Sequence, residues 1–353
     1  ESRAAGWSAA ALLALLTLFI LDHLAWPRPI ADTTTAGGDT PAHLYIASRL
    51  REALFQEGRL VCWAPGWWCG FPLFRYYFPL PYLVMVLLAQ AMPFNVAFKL
   101  ASVAGLLLLP LCGWLAGRWM RLPRPAPLLL AAACVPFLFV RTHSMWGANI
   151  ASTLAGMIAN SYGFPLMLLA VASGFRDAED GRIRARTPLL LAVTVSAHFF
   201  TAVMAGLTLA AVPLLLARTR GLGRTVRLLA LEGGLALLMT AGWWMPLAAR
   251  RGFSTDFGAA WPVSLWNTLP PYALWLAPLA VAAPFLALRR RVRAVGLFAA
   301  MGAGALLLFA KGAALSPVFV NVRLWPFLYF AWLALAACGA GLLLAGRDRK
   351  SVV

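Results

Sequence analysis

The stretch VNVRLWPFLYFAWLALAACGAGLLLAG, residues 320–346, decides the fold class of this chain. It is apolar except for Asn321 and Arg323 near its start, and the basic run RDRK follows it directly. An apolar segment of about 20 residues is long enough to cross the hydrocarbon core of a membrane as a helix. The stretch therefore predicts a transmembrane helix that ends in a basic segment.

The composition of the whole chain extends this prediction. Of the 353 residues, 62% are hydrophobic and 12% are charged, whereas an ordinary soluble domain has about 25% charged residues. This composition excludes a soluble fold and leaves room for about 8–10 hydrophobic segments of roughly 20 residues each. We predict an all-α, polytopic transmembrane helical protein in which residues 1–353 form a single membrane domain. Residues 7–26 are expected to be its first transmembrane helix rather than a signal peptide, because no A-x-A-like cleavage site follows them.

The net charge of +18 comes from basic residues that lie largely in short segments between the apolar stretches. Positively charged loops of membrane proteins stay on the cytoplasmic side, so these segments set the orientation and do not indicate a nucleic-acid partner. We therefore predict a multi-pass protein of the inner (plasma) membrane whose first loop, residues 27–75, lies outside the cytoplasm. The basic segments are residues 118–124, 176–186, 218–227, 289–293 and 347–350.

One apolar segment, residues 76–93, does not fit a simple alternation of spans. If the first helix leaves the cytoplasm and residues 95–117 return to it, residues 76–93 are one crossing too many. Pro79, Pro81 and Pro93 lie in this segment, and proline interrupts helices. The sequence leaves open whether the segment spans the membrane or re-enters on the same side.

The first outer loop, residues 27–75, is far too long for a simple connector. Thr40 followed by Pro41 is a helix start, with threonine as the N-cap and proline at the first helical position. Gly58 ends the pattern, so we predict an amphipathic helix over residues 41–57 that lies on the outer membrane surface. Its apolar face is predicted to consist of Leu44, Ala47, Leu50 and Leu54.

Asp39 is the predicted catalytic residue. It follows Gly37 and Gly38 and stands directly before the N-terminus of the predicted helix. The positive end of the helix dipole favours an ionised carboxylate at this position, and an ionised carboxylate can act as a general base. The alternative is that Asp39 only caps the helix, since aspartate is a favoured cap.

All four histidines fall on the outer half in this topology, and His43, His143 and His198 are predicted to bind substrate. His43 lies one helical turn from Asp39 and could contact the same ligand. The alternative for each histidine is a hydrogen-bonded residue at a helix end. No cofactor is predicted: H-x-x-x-H, H-E-x-x-H and C-x-x-C motifs are absent, so a divalent metal would have no clear site.

Arg323 is the best candidate to bind a phosphate, because it lies on the outer side against the positive-inside rule. A cation in such a position usually has an anionic partner, and a guanidinium binds phosphate with two parallel hydrogen bonds. The alternative is contact with the headgroups of membrane lipids.

Two other features of the first outer loop each allow two interpretations. Cys62 and Cys69 could form a disulfide in an oxidising compartment, or both could be unpaired. The aromatic residues are typical of an interfacial belt, and less so of a sugar-stacking platform. They are Trp63, Trp67, Trp68, Tyr76 and Tyr77.

The stretch GGDTPAHLYIASRLREALFQEGRLVCWAPGWWCGFPLFRYYFPLPY, residues 37–82, resembles the membrane protein family related to 6-pyruvoyl-tetrahydropterin synthase. More broadly, it resembles the C-type glycosyltransferase superfamily. The resemblance is looser downstream, where it includes WWMP at residues 243–246 and NVRLWP at 321–326. The residues that carry it are Gly38, Asp39, His43, Leu50, Gly58, Trp63, Pro65, Gly70, Pro72, Tyr77, Pro79 and Tyr82.

The resemblance implies a helical membrane domain that transfers sugars from polyprenyl-phosphate or polyprenyl-diphosphate carriers to acceptors on the outer face. Asp39 matches the acidic residue of the superfamily's first outer loop, which implies a general base or a role in positioning the acceptor. The second acidic metal motif of some relatives has no counterpart in residues 141–162, so a metal ion is in doubt. The expected partners are a polyprenyl-phosphate sugar donor, membrane lipids and other membrane subunits. The alternative function is a non-catalytic scaffold subunit of a larger membrane complex.

Overall fold

The computed structural model describes residues 3–67, 69–141, 144–253, 261, 270–316 and 319–345. Nearly all regular structure in these residues is helical, with one short antiparallel hairpin of two strands. The elements are α1 (Arg3–His23), α2 (Thr40–Gln56), β1 (Cys62–Ala64), β2 (Phe71–Leu73), α3 (Leu80–Leu88), α4 (Phe94–Trp119), α5 (Ala126–Leu138), α6 (Ile150–Leu154), α7 (Ile158–Asp180), α8 (Arg186–Ala197), α9 (Phe199–Ala210), α10 (Val212–Arg220), α11 (Leu222–Met239), α12 (Ala241–Ala249), α13 (Pro271–Trp275), α14 (Ala277–Arg290), α15 (Val295–Leu315) and α16 (Trp325–Leu344).

Six helical segments of the described chain are long and apolar enough to cross a membrane. Helices α11 and α12 form a seventh candidate that is bent by 79°. Helices α5 and α8 are shorter and apolar. The predicted all-α polytopic fold is therefore confirmed. The six segments are Gly6–His23, Phe94–Trp119, Ile158–Asp180, Phe199–Arg220, Val295–Leu315 and Asn321–Leu344.

Four of the five basic segments meet at one end of the bundle; the fifth, residues 347–350, lies outside the described residues. Arg121 lies 3.5 Å from the carboxylate of Glu179, and Glu179 is within electrostatic reach of Arg220 and Arg293. This clustering is what the positive-inside interpretation requires of loops that share one side of a membrane. We call this end the basic end; that it faces the cytoplasm stays a prediction.

A helical hairpin formed by α8 and α9 places His198 at its tip. Near the basic end of α7, Asp177 accepts a hydrogen bond from Thr187 at the start of α8, at 2.6 Å. At the opposite end of α7, Gly163 lies against His198 and Thr201. Helix α8 therefore runs away from the basic end and α9 runs back towards it, as predicted for residues 188–217.

The segment whose crossing was left open by the sequence does not span the bundle. Helix α3 has nine residues, which gives a length of about 14 Å, too short for a hydrocarbon core of roughly 30 Å. Tyr82 of α3 contacts His43 of α2, so α3 lies at the end opposite the basic end. This geometry agrees with the re-entrant alternative for residues 76–93.

The buried side chains form two hydrophobic clusters. The larger one runs through the bundle and includes side chains of α1, α4, α5, α7 and α14 to α16. The smaller one joins α2, the strand hairpin and α3 to the adjacent ends of α4 and α7. In that hairpin Trp63 pairs with Pro72. Cys62 and Cys69 are both free thiols, so the structure contains no disulfide between them. The candidate site lies where the two clusters meet.

Candidate functional site

Four of the five predicted site residues line one cavity of about 270 Å³ at the end of the bundle opposite the basic end. The fifth, His143, lies outside the described residues. The four come from separate parts of the chain, namely the start of α2, the tip of the α8–α9 hairpin and the segment before α16. They are Asp39, His43, His198 and Arg323.

The backbone of Asp39 is fixed by the end of the short helix α6. The last carbonyl groups of a helix have no partner within the helix. Here the carbonyl of Ala155 accepts from the N–H of Asp39 at 3.0 Å, and that of Leu154 accepts from the Thr40 hydroxyl at 3.2 Å. The start of α2 therefore satisfies the end of α6, and this holds Asp39 at the cavity wall.

Two glycines make this close approach possible. Gly38 has a φ of +52°, and a Cβ atom there would lie 2.2 Å from the carbonyl oxygen of Ala155. Gly156 has a φ of +110°, and its Cβ atom would lie 2.8 Å from the Cβ of Asp39. Only glycine fits both the backbone conformation and the space at these positions. Gly38, noted from the sequence, and Gly156, which was not, are therefore structural requirements of the position of Asp39.

The structure corrects the predicted capping of α2. The helix begins at Thr40 rather than Pro41, and Asp39 occupies the cap position, but its side chain makes no capping hydrogen bond. The hydroxyl of Thr40, predicted to be the cap, bonds instead to Leu154. Asp39 is exposed, so its carboxylate can contact a ligand in the cavity.

The buried face of α2 is also rotated relative to the prediction. Leu44 and Leu54 are only half-buried. The reason is that α2 packs sideways against α3 and β1 and does not present its apolar face to a membrane surface alone. The rotation places His43 on the buried side, facing the cavity. The buried residues are Thr40, His43, Ile46, Ala47, Leu50 and Ala53.

His43 is a neutral hydrogen-bonding residue. Its side chain is 6% exposed, and its Nδ1 lies 2.5 Å from the hydroxyl of Tyr82. A tyrosine hydroxyl can donate or accept, and a neutral imidazole has one donor and one acceptor nitrogen, so either tautomer of His43 can form this hydrogen bond. Burial lowers the pKa of His43, against opposing effects of the Asp39 charge and a hydrogen bond with the backbone of Gly156.

This burial predicts a pH dependence of stability. The pKa of His43 is lower in the folded protein than in the unfolded chain, where it is about 6.5. Below about pH 6.5 the unfolded chain binds a proton that the folded protein does not, so the free energy of unfolding decreases as the pH falls. Thermal unfolding from pH 8 to pH 5 should show a smaller decrease for His43→Gln than for the wild type. Parallel curves for the two proteins would contradict the assignment.

Arg323 lies in the short 3₁₀ helix Asn321–Leu324 that precedes α16. The side chain of Asn321 fixes this turn, because it bonds both the N–H and the carbonyl of Trp261, at 3.0 and 2.9 Å. The guanidinium contacts the sulfur of Met157 and forms no ion pair with a carboxylate of the described residues. Asp39 attracts it electrostatically across the cavity. Arg323 is therefore positioned to receive an anion.

The wall between these two charged groups is neutral. His198 is 8% exposed, and its ring lies 5.7 Å from that of Phe78 and 5.8 Å from that of Phe200. Asn160 is fully buried in the first turn of α7 and also lines the cavity. Asn160 is not predictable from the sequence as a site residue, because an asparagine at a helix start is ordinary and its neighbours form no motif.

Residues 74–345 match the protein family described as 6-pyruvoyl-tetrahydropterin synthase related domain, a membrane protein family. This match covers more than half of the chain. The chain belongs to this family. No curated protein and no solved structure matches it. His198 and Arg323 lie within the matched region, whereas Asp39 and His43 precede it.

The cavity has the chemistry of a site for an anionic, polar ligand. In the described part of the chain, no three His, Cys, Asp or Glu side chains lie close enough to hold a metal ion. Asp39 is the acidic residue among those that line the cavity. The arrangement can therefore accept a proton at Asp39, bind an anion at Arg323 and donate or accept hydrogen bonds between them.

Proposed function

We propose that this protein transfers a sugar from a polyprenyl-phosphate-linked donor to an acceptor hydroxyl at the extracytoplasmic face, as a C-type glycosyltransferase. One observation carries the proposal: Asp39 and Arg323 face the same cavity without forming an ion pair. Contact between two opposite charges in a small cavity is electrostatically favourable. Their separation here suits a site in which each charge binds a different part of a substrate. A base for the acceptor and a cation for the leaving phosphate are the two partners that such a reaction needs.

The proposed reaction is a single displacement with inversion at the anomeric carbon. The acceptor oxygen attacks that carbon, and the bond from the carbon to the phosphate oxygen breaks. The bonding electrons leave with the polyprenyl phosphate, whose added negative charge Arg323 stabilises. Asp39 takes the proton of the acceptor hydroxyl. His43 positions the bound substrate through its place beside Asp39, as predicted from the sequence.

The size of the cavity suits the sugar and phosphate of the donor but not its lipid chain. Its volume of about 270 Å³ lies just under the range of roughly 300–1,000 Å³ typical of ligand pockets. It has room for the sugar and phosphate of the donor but not for a polyprenyl chain. The chain would therefore lie outside the cavity, among the apolar helix surfaces.

The experiment is a transfer assay with purified protein in detergent. A panel of polyprenyl-phosphate hexoses and pentoses, labelled in the sugar, is supplied together with membrane extract as a source of acceptor. We expect release of free polyprenyl phosphate and incorporation of label with at least one donor. Failure of every donor to be bound or turned over would contradict the proposal.

The alternative function, a non-catalytic scaffold subunit, has two observations in its favour. The cavity is lined by a single acidic residue, and the described residues hold no metal cluster. A scaffold predicts no transfer by the wild type and co-purification with other membrane subunits. Transfer by the isolated chain would exclude this alternative.

Arg323→Leu should weaken binding of polyprenyl phosphate by about tenfold or more, since hydrogen bonds to charged groups contribute roughly 1.5–3 kcal/mol. Arg323→Lys should weaken it less, because the charge stays while the two-pronged geometry is lost. Binding is measured by microscale thermophoresis with a short-chain polyprenyl phosphate. The matched control is Arg250→Leu, which removes an exposed arginine outside the cavity. Equal affinities of wild type and both Arg323 variants would remove the phosphate role.

A further inference from the structure

Asn160 is the least satisfied polar side chain in the cavity wall. Its residue is fully buried, and neither the oxygen nor the nitrogen of its carboxamide has a hydrogen-bond partner. The carboxamide lies against Gly147, where a Cβ atom would come within 2.6 Å of its Cγ. Buried amides are almost always paired in native proteins, and an unpaired one calls for an explanation. The adjacent cavity is where a partner for Asn160 would lie.

His198 has the same deficiency on the same wall. Its Nδ1 is buried and has no hydrogen-bond partner. The ring shares the cavity with the guanidinium of Arg323, and both burial and a nearby cation favour the neutral imidazole. A neutral imidazole has one donor and one acceptor nitrogen. Asn160 and His198 both line the cavity, and together they carry buried donor and acceptor atoms that are uncharged and have no protein partner.

This combination selects one kind of ligand group. A phosphate dianion only accepts hydrogen bonds, so it could not satisfy the carboxamide oxygen of Asn160 or an acceptor nitrogen of His198. A hydroxyl group has one donor and two acceptor sites, so a ligand with several hydroxyl groups can satisfy both kinds of atom. The rings of Tyr77, Phe78 and Phe200 line the same cavity and add the apolar surface that is usual in ligand pockets.

We infer that Asn160 and His198 form the sugar subsite of the cavity and bind hydroxyl groups of the donor's sugar ring. This inference rests on the proposed function. It assigns the two polar parts of the donor to different residues: Arg323 binds the phosphate, and the neutral wall binds the sugar. The wall selects among sugars, because a site that hydrogen-bonds a hydroxyl discriminates strongly against an analogue that lacks it.

The test compares two ligands that differ only in the sugar. Binding of a short-chain polyprenyl phosphate and of its sugar-carrying form is measured for the wild type, Asn160→Leu and His198→Gln. The wild type should bind the sugar-carrying lipid more tightly than the bare one. Asn160→Leu should lose about tenfold or more of affinity for the sugar-carrying lipid and keep its affinity for the bare lipid. His198→Gln, which keeps a donor and an acceptor, should retain most of the sugar preference.

The controls separate this inference from the proposed function and from loss of folding. Asn95→Leu is the matched control, because the Asn95 amide bonds to Asp32 outside the cavity, at 3.0 Å. Thermal unfolding is recorded for every variant, and the Asn160→Ala variant, which also lacks the amide, replaces Asn160→Leu if the latter does not fold. Equal affinity of the wild type for both lipids, or an unchanged sugar preference in the Asn160 variant, would overturn the sugar subsite while leaving the phosphate role intact. Binding of neither lipid by the wild type would overturn both.

Discussion

Asp39→Asn should reduce sugar transfer by about a hundredfold or more while leaving thermal unfolding nearly unchanged. The substitution keeps the shape of the side chain and removes the base, and proton transfer by a positioned group contributes about 10²- to 10⁴-fold to rate. Folding should tolerate it because the structural contact of this residue is its backbone N–H, which bonds to Ala155. The side chain makes no capping bond that the change would lose. Transfer rates and unfolding temperatures of the two purified proteins are the measurements.

The matched control for this variant is Asp32→Asn. Asp32 is another exposed carboxylate of the first outer loop, but it does not line the cavity and accepts a hydrogen bond from Asn95. The Asp32→Asn variant should transfer sugar at the wild-type rate. Equal rates for wild type and Asp39→Asn would exclude Asp39 from the mechanism.

Gly156→Ala should lower both transfer and stability. The new Cβ would lie 2.8 Å from the Cβ of Asp39, so either Asp39 or the 155–156 turn must move. A misplacement of about 1 Å in a catalytic site can reduce the rate about a hundredfold. The φ of +110° adds backbone strain for alanine, of order 1–3 kcal/mol. Transfer assays and thermal unfolding report the two effects separately.

Gly58→Ala provides the control for strain alone. Gly58 follows α2 with a φ of +65°, and a Cβ there would meet no atom within 4 Å. This variant should lose some stability and keep its transfer activity. Full transfer by Gly156→Ala would show that the contact with Asp39 does not position the catalytic group.

The parts of the site that the sequence predicted are those with local signals. Asp39 follows Gly37 and Gly38 and precedes the helix start formed by Thr40 and Pro41. These signals come from residues adjacent to it in the chain, so they are visible in the sequence. Arg323 was identified because it stands in an apolar stretch on the side where arginine is rare. The fold class followed from hydropathy and charge, which act over windows of about 20 residues.

The parts that the sequence did not predict depend on contacts between distant segments. The start of α2 meets residues 154–156 across more than a hundred residues of chain, and no periodicity encodes that approach. Because of these contacts between distant segments, His43 is buried and Leu44 is only half-buried. Asn160 became a candidate only because its burial and its unpaired amide are visible in three dimensions. His143 lies outside the described residues, so its predicted role stays a prediction.

The most direct test of the account is an experimental structure of the protein with a polyprenyl-phosphate sugar bound, using Asp39→Asn to prevent turnover. We predict that the phosphate lies within hydrogen-bond distance of the Arg323 guanidinium. The anomeric carbon should face residue 39, with the sugar hydroxyls towards Asn160 and His198. Density for the phosphate at the basic end, or anywhere outside this cavity, would contradict the account.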